Sequence, residues 1–136
     1  MGAYTTADNI EPYIADILDG SSVPTETAVN DLIAELEAEV NGWLKHWGLT
    51  TPLTDPENIE YLRGKINYGV ACTVWGWYVQ DTEERPFVVR YCQTWNNFSS
   101  NLIEGVFRLP NQENETPVDG GDGFSPGYKM VKIRRV

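Results

Sequence analysis

Thr27-Ala28-Val29-Asn30-Asp31-Leu32-Ile33-Ala34-Glu35-Leu36-Glu37-Ala38-Glu39-Val40-Asn41-Gly42-Trp43-Leu44 is the stretch that decides the fold. Its apolar side chains fall at Val29, Leu32, Ile33, Leu36, Val40, Trp43 and Leu44, and Trp47 continues the row, which is the three-and-four spacing of one helix face. The segment opens at Ser22 to Thr25 with Pro24 and stops at Gly48, so it predicts a helix of roughly 24 residues, about 35 Å long and twice the average. A helix that is apolar along one stripe must bury it against other elements, and the flanking sequence supplies them.

Before it, Ile10, Tyr13, Ile14, Ile17 and Leu18 recur at helical spacing behind the cap candidates Thr5, Thr6 and Asn9, and Gly20 stops the run. Pro12 suits a first turn, which puts the start of regular helix near Asn9. After it, Asp55-Pro56-Glu57 is a cap followed by proline at the first helical position, and Ile59, Leu62, Ile66, Val70, Val74 and Trp77 carry a third helix. Glycines at 64, 69 and 76 weaken that helix by up to about 1 kcal/mol each, which close approach of another helix would offset. A fourth helix opens around Thr82 to Pro86, buries Val88, Tyr91, Trp95, Phe98 and Leu102, and ends near Gly105. The expected fold is mainly α: a four-helix bundle over residues 1–106, then a long irregular C-terminal arm over 107–136 ending in a β-strand.

The arm is set apart by composition. Residues 110–127 hold four glycines, three prolines and four acidic residues, with only Val118 and Phe124 as sizeable apolar groups. Tyr128-Lys129-Met130-Val131-Lys132-Ile133-Arg134-Arg135-Val136 then favours a strand, which needs a partner: Val106 to Leu109 of the same chain, or the sheet of another, with disorder the outcome if neither pairs with it. Residues 1–122 contain 20 acidic and six basic side chains, a net −14, whereas residues 123–136 carry +4. The body therefore repels phosphate backbones, and free binding to DNA is not expected. The amino-terminal residues lack a basic run leading into an apolar stretch, and no window suits a membrane span, so a soluble, non-secreted protein is expected. The sequons at Asn97 and Asn114 lose their meaning in that setting, and Met1-Gly2 with Thr6 fits a myristoylation signal only loosely.

Chemistry is sparse. His46 is the sole histidine, which excludes sites built on two or three histidines and gives this residue a packing or surface role. Cys72 and Cys92 are too few for a zinc site and are expected as reduced core thiols, close together if helices three and four form an antiparallel hairpin. Gly64-Lys65 is followed by Ile66 in place of Ser or Thr and so is not a phosphate loop. Asp31, Glu35, Glu37 and Glu39 could suggest a metal cluster, yet Asp31, Glu35 and Glu39 at four-residue steps read as a solvated helix face. Asp119-Gly120-Gly121-Asp122-Gly123 lacks the spacing of a calcium loop and reads as a flexible acidic turn. In Val74-Trp75-Gly76-Trp77-Tyr78-Val79, helical spacing turns Val74 and Trp77 to the bundle and Trp75 and Tyr78 elsewhere; core, subunit interface and a stacking platform all remain open for this run. No enzyme activity, metal or cofactor is expected.

Taken in order, Tyr4-Thr5-Thr6-Ala7-Asp8-Asn9-Ile10 opening a short helix, the 27–44 segment, a proline-containing break, and a third helix with Gly69-Val70-Ala71 resemble the head-to-tail adaptor, or head-completion and connector, proteins of tailed bacteriophages. The resemblance spans residues 4 to roughly 106. It implies a structural virion protein without catalytic residues, assembled in the host cytoplasm and located in the neck between capsid and tail. It further implies a homo-oligomeric, dodecameric ring beneath the portal protein, joined to a tail or stopper protein and lining a channel that DNA passes through without specific binding or membrane contact. Arms outside the bundle in that family reach the portal or a neighbouring subunit. Residues 107–136 are similar in position and kind, which makes Tyr128, Lys129, Met130, Val131, Lys132, Ile133, Arg134 and Arg135 the expected partner-binding residues. An acidic DNA mimic that regulates a host nucleic-acid enzyme is the alternative, and it predicts a monomer or dimer instead of a ring.

Overall fold

A computed structural model describes residues 4–14, 25–78 and 85–115. Four helices account for most of them: α1 (Ala7–Ile14), α2 (Glu26–His46), α3 (Pro56–Tyr78) and α4 (Pro86–Glu104), followed by a 3-10 turn at Gln112–Asn114. The chain is mainly helical, and among the described residues there is no extended strand. No helix among them is long and apolar enough to cross a membrane.

Local chemistry explains the boundaries. The Thr25 hydroxyl accepts the amide of Ala28 at 3.0 Å and starts α2. Asp55 starts α3 by accepting the amides of Glu57 and Asn58, both at 3.1 Å, with Pro56 at the first helical position where no donor is needed. Gly48 and Gly105 end α2 and α4 with φ of 104° and 79°, a left-handed turn that a side chain would strain. Beyond each glycine the chain folds back, Leu49 donating to the Leu44 carbonyl and Val106 to that of Asn101, both at 3.0 Å. α1 begins at Ala7, earlier than expected, and holds Pro12 in its interior. The missing bond falls on the Asp8 carbonyl, and since Asp8 and Pro12 are both exposed, solvent can serve it.

α3 is the centre of the bundle and packs most extensively on α4. Ring contacts pair Tyr61 with Phe98 and Trp75 with Phe87, so the two helices run antiparallel. Gly69 lies under the Trp95 ring, where a Cβ would stand only 2.6 Å from the nearest ring carbon. This is the close approach that the glycines imply, but only here: Gly64 and Gly76 face open space. Ile33, Val40 and Leu44 of α2 and Leu62, Ile66, Val70 and Val74 of α3 are buried together with Ile10 of α1 and Val88 and Leu102 of α4.

Two expectations are overturned in α3. Cys72 and Cys92 are neighbours, as the hairpin register requires, but they form a disulfide in place of two reduced thiols. The helix register sets their Cα atoms 5.1 Å apart, within bridging range. Trp75, expected to point away from the bundle, is almost fully buried, while Trp77 is 46% exposed. α1 packs on a second face of α3, where the Trp75 indole donates to the Tyr13 carbonyl at 2.9 Å, and Phe87 of α4 packs on the same side chain with ring centroids 5.3 Å apart.

Candidate functional site

Two buried carboxylates tie the ends of the described chain to the bundle. Glu37 sits in the apolar stripe of α2, at i+4 from Ile33, and one of its oxygens accepts the amides of Tyr4 and Thr5 at 2.8 and 2.9 Å. It is thus separate from the row of Asp31, Glu35 and Glu39, which is exposed. The Tyr4 phenol donates to the Asn41 side-chain oxygen at 2.5 Å and accepts the Leu53 amide at 2.9 Å. Arg63 Nε donates to the Tyr4 carbonyl, and Thr5 Oγ1 to Asn67. Burial, and behind it the charges of Glu37 and Glu115, outweighs these bonds and pushes the Tyr4 phenol up to about 12, so it remains a neutral donor.

At the other end, Glu115 accepts the amides of Thr54 and Asp55, each at 3.0 Å, and the Asn58 amide nitrogen at 2.6 Å. Asn58, fully buried, also exchanges bonds with the backbone of Asn111 at 2.8 and 2.9 Å. Asn114 and Asn111 donate to Asp55, whose carboxyl is held below the usual range, first by Asn114 and then by Asn111 and the helix amides. Residues 107–115, assigned by composition to an extended arm, therefore run against the start of α3 with Phe107, Leu109, Gln112 and Glu115 buried. Gln112 is the local brace, its side-chain oxygen accepting the Leu109 amide at 3.4 Å.

This docked segment, α3 and α4 enclose two adjoining grooves. One, of about 390 Å³, is lined by Tyr61 and Lys65 of α3, Asn97, Phe98 and Asn101 of α4, and Arg108. The other, of about 500 Å³, shares Tyr61 and Arg108 and continues along Leu109 to Glu113. The Lys65 ammonium stands 5.3 Å from the centre of the Tyr61 ring. Burial raises the Tyr61 phenol pKa, so it too stays neutral. Arg108 is exposed and has no hydrogen-bond or ion-pair partner among the described residues. Glu113 lines the second groove, whereas the first holds cations, neutral donors and apolar walls without a carboxylate and suits an acidic surface.

Other candidates resolve as packing or lie elsewhere. His46 is exposed, its ring meeting the edges of Trp43 and Trp47 at 5.4 and 4.8 Å. Gly64-Lys65 lies inside α3, where no loop can cradle a phosphate. Tyr13, Tyr68 and Tyr91 form a half-buried cluster joining α1, α3 and α4, with centroids 5.4 to 5.6 Å apart. Among the described residues no group of His, Cys, Asp or Glu could hold a metal ion. The expected partner-binding residues Tyr128 to Arg135, and the turn at Asp119 to Gly123, lie outside the described residues. Helical spacing does not bring Lys65 and Arg108 together, because Arg108 lies beyond α4 in a segment whose composition marks an arm. The available signal was the rarity of Lys65 and Arg108, two of six basic residues in the first 122. No protein family, no curated protein and no solved structure matches this chain.

Proposed function

We propose that the protein is a structural ring subunit of the neck of a tailed-phage particle, a head-to-tail adaptor set beneath a portal. The observation that carries this reading is a small helical bundle whose first 122 residues hold a net −14. A ring wall of that charge lets DNA pass by repelling its phosphates, where a basic wall would hold them. Ile103 and Val106, exposed where α4 ends, are apolar surface of the kind that assembly covers.

Residues 128–136 supply the outward contact in this reading. Val131 and Ile133 fall on one face of an extended chain and Tyr128 and Met130 on the other, and a strand apolar on both faces adds to a partner's sheet edge. Electron microscopy and native mass spectrometry of the full chain test the assembly, and the expected result is a closed ring, about twelve-fold. Deleting residues 128–136 leaves helical circular dichroism unchanged and abolishes ring closure or docking to a portal. A chain that stays monomeric or dimeric and captures a purified nucleic-acid enzyme supports the DNA-mimic reading instead.

A further inference from the structure

Residues 1–122 carry a net −14, which makes a recess lined by two cations conspicuous. Lys65 and Arg108 both line the groove between α3 and α4, and no carboxylate lines it with them. The exposed amide of Asn97 supplies further donors, and Val106, 37% exposed, forms an apolar rim. On α2, Asp31, Glu35 and Glu39 stand at four-residue steps, all exposed and none with an ion-pair partner among the described residues. They make a straight acidic row about 12 Å long.

We infer that the Lys65–Arg108 groove of one copy receives the acidic α2 row of a second copy. Opposite charge favours the match, and the Asn97 amide and Tyr61 phenol offer hydrogen bonds to carboxylates that a point cation alone does not. Single exposed ion pairs contribute little, so the contact depends on several acting together over an apolar rim. The two surfaces share no residue. A contact between different patches is head-to-tail, and repeating the same operation gives a ring when the rotation closes and a filament when it does not. The inference rests on the ring reading only for closure.

The test uses full chains. The Lys65→Glu/Arg108→Glu variant sets an acidic groove against an acidic row, and the Asp31→Lys/Glu35→Lys/Glu39→Lys variant sets a basic row against a basic groove. Each alone loses self-association by roughly a hundredfold or more, with helical circular dichroism unchanged. Mixed one to one, both junctions become complementary, and native mass spectrometry shows assembly restored with the two variants alternating. Wild-type assembly also weakens as salt rises from low to molar concentration. Rings that persist in both variants overturn this contact and leave the ring reading intact. An open filament that both variants lose and the mixture restores upholds the contact and overturns the ring. A wild-type chain that remains monomeric up to its solubility limit overturns both.

Discussion

Tyr4 shows how one side chain can hold a chain end by being neutral. Its phenol both donates to Asn41 and accepts from Leu53, a pair of roles that only the protonated form can play. Because the folded pKa is raised from 10.0 to about 12, the proton is held more tightly in the folded state than in the unfolded chain. The resulting stability is whole below pH 10 and is lost as pH climbs from about 10 towards 12. The effect amounts to about 2–3 kcal/mol, and urea unfolding across that range measures it. Tyr4→Phe is expected to unfold at lower urea at pH 7 and to flatten this part of the pH profile, leaving the smaller contribution of Tyr61. Glu37 illustrates what was readable and missed. An acid four residues after Ile33 and three before Val40 lies in the buried stripe, so helical phase alone marks it as an internal acceptor. Its donors, the amides of Tyr4 and Thr5, lie more than thirty residues away and leave no local trace.

Among elements, α2, α3 and α4 were legible because caps, proline positions and apolar spacing all agree, and their ends fall within a few residues of where those signals stand. The orientation of α3 was harder. Spacing identifies one apolar face, yet α3 is covered by α1 as well as by α2 and α4, and only tertiary packing reveals that Trp75 takes the second covered face. Its glycines now separate into two kinds. Gly69→Ala drives a methyl into the Trp95 ring and is expected to destabilise by about 1–3 kcal/mol, whereas Gly76→Ala meets open space and should stabilise by up to about 1 kcal/mol. Chemical denaturation of the two variants decides this. The Cys72–Cys92 bridge ties α3 to α4 across a separation of 20 residues, and loop entropy gives its reduction a cost of about 3 kcal/mol. Melting with and without a phosphine reductant should show a clear drop in Tm, absent in a Cys72→Ser/Cys92→Ser variant.

For the whole molecule, the fold takes in the segment after α4 up to at least Glu115, because Phe107, Leu109, Gln112 and Glu115 are buried against the bundle. Composition pointed the other way: glycines, prolines and acids from residue 110 onward signal irregular chain, and irregular chain can still dock when a few side chains are placed to anchor it. A chain ending at Glu115 keeps all of these anchors. One ending at Gly105 removes buried Phe107 and Leu109 and strips Asn58 of its partners, so it should lose at least about 3 kcal/mol. The anchors also meet. Leu53 donates to Tyr4 and its neighbour Thr54 donates to Glu115, so the first and last described residues are clasped at adjacent peptide groups. The phenol of Tyr4 and the carboxylate of Glu115 thus converge on the one connection between α2 and α3, so a shift of that connection is felt at both anchors at once.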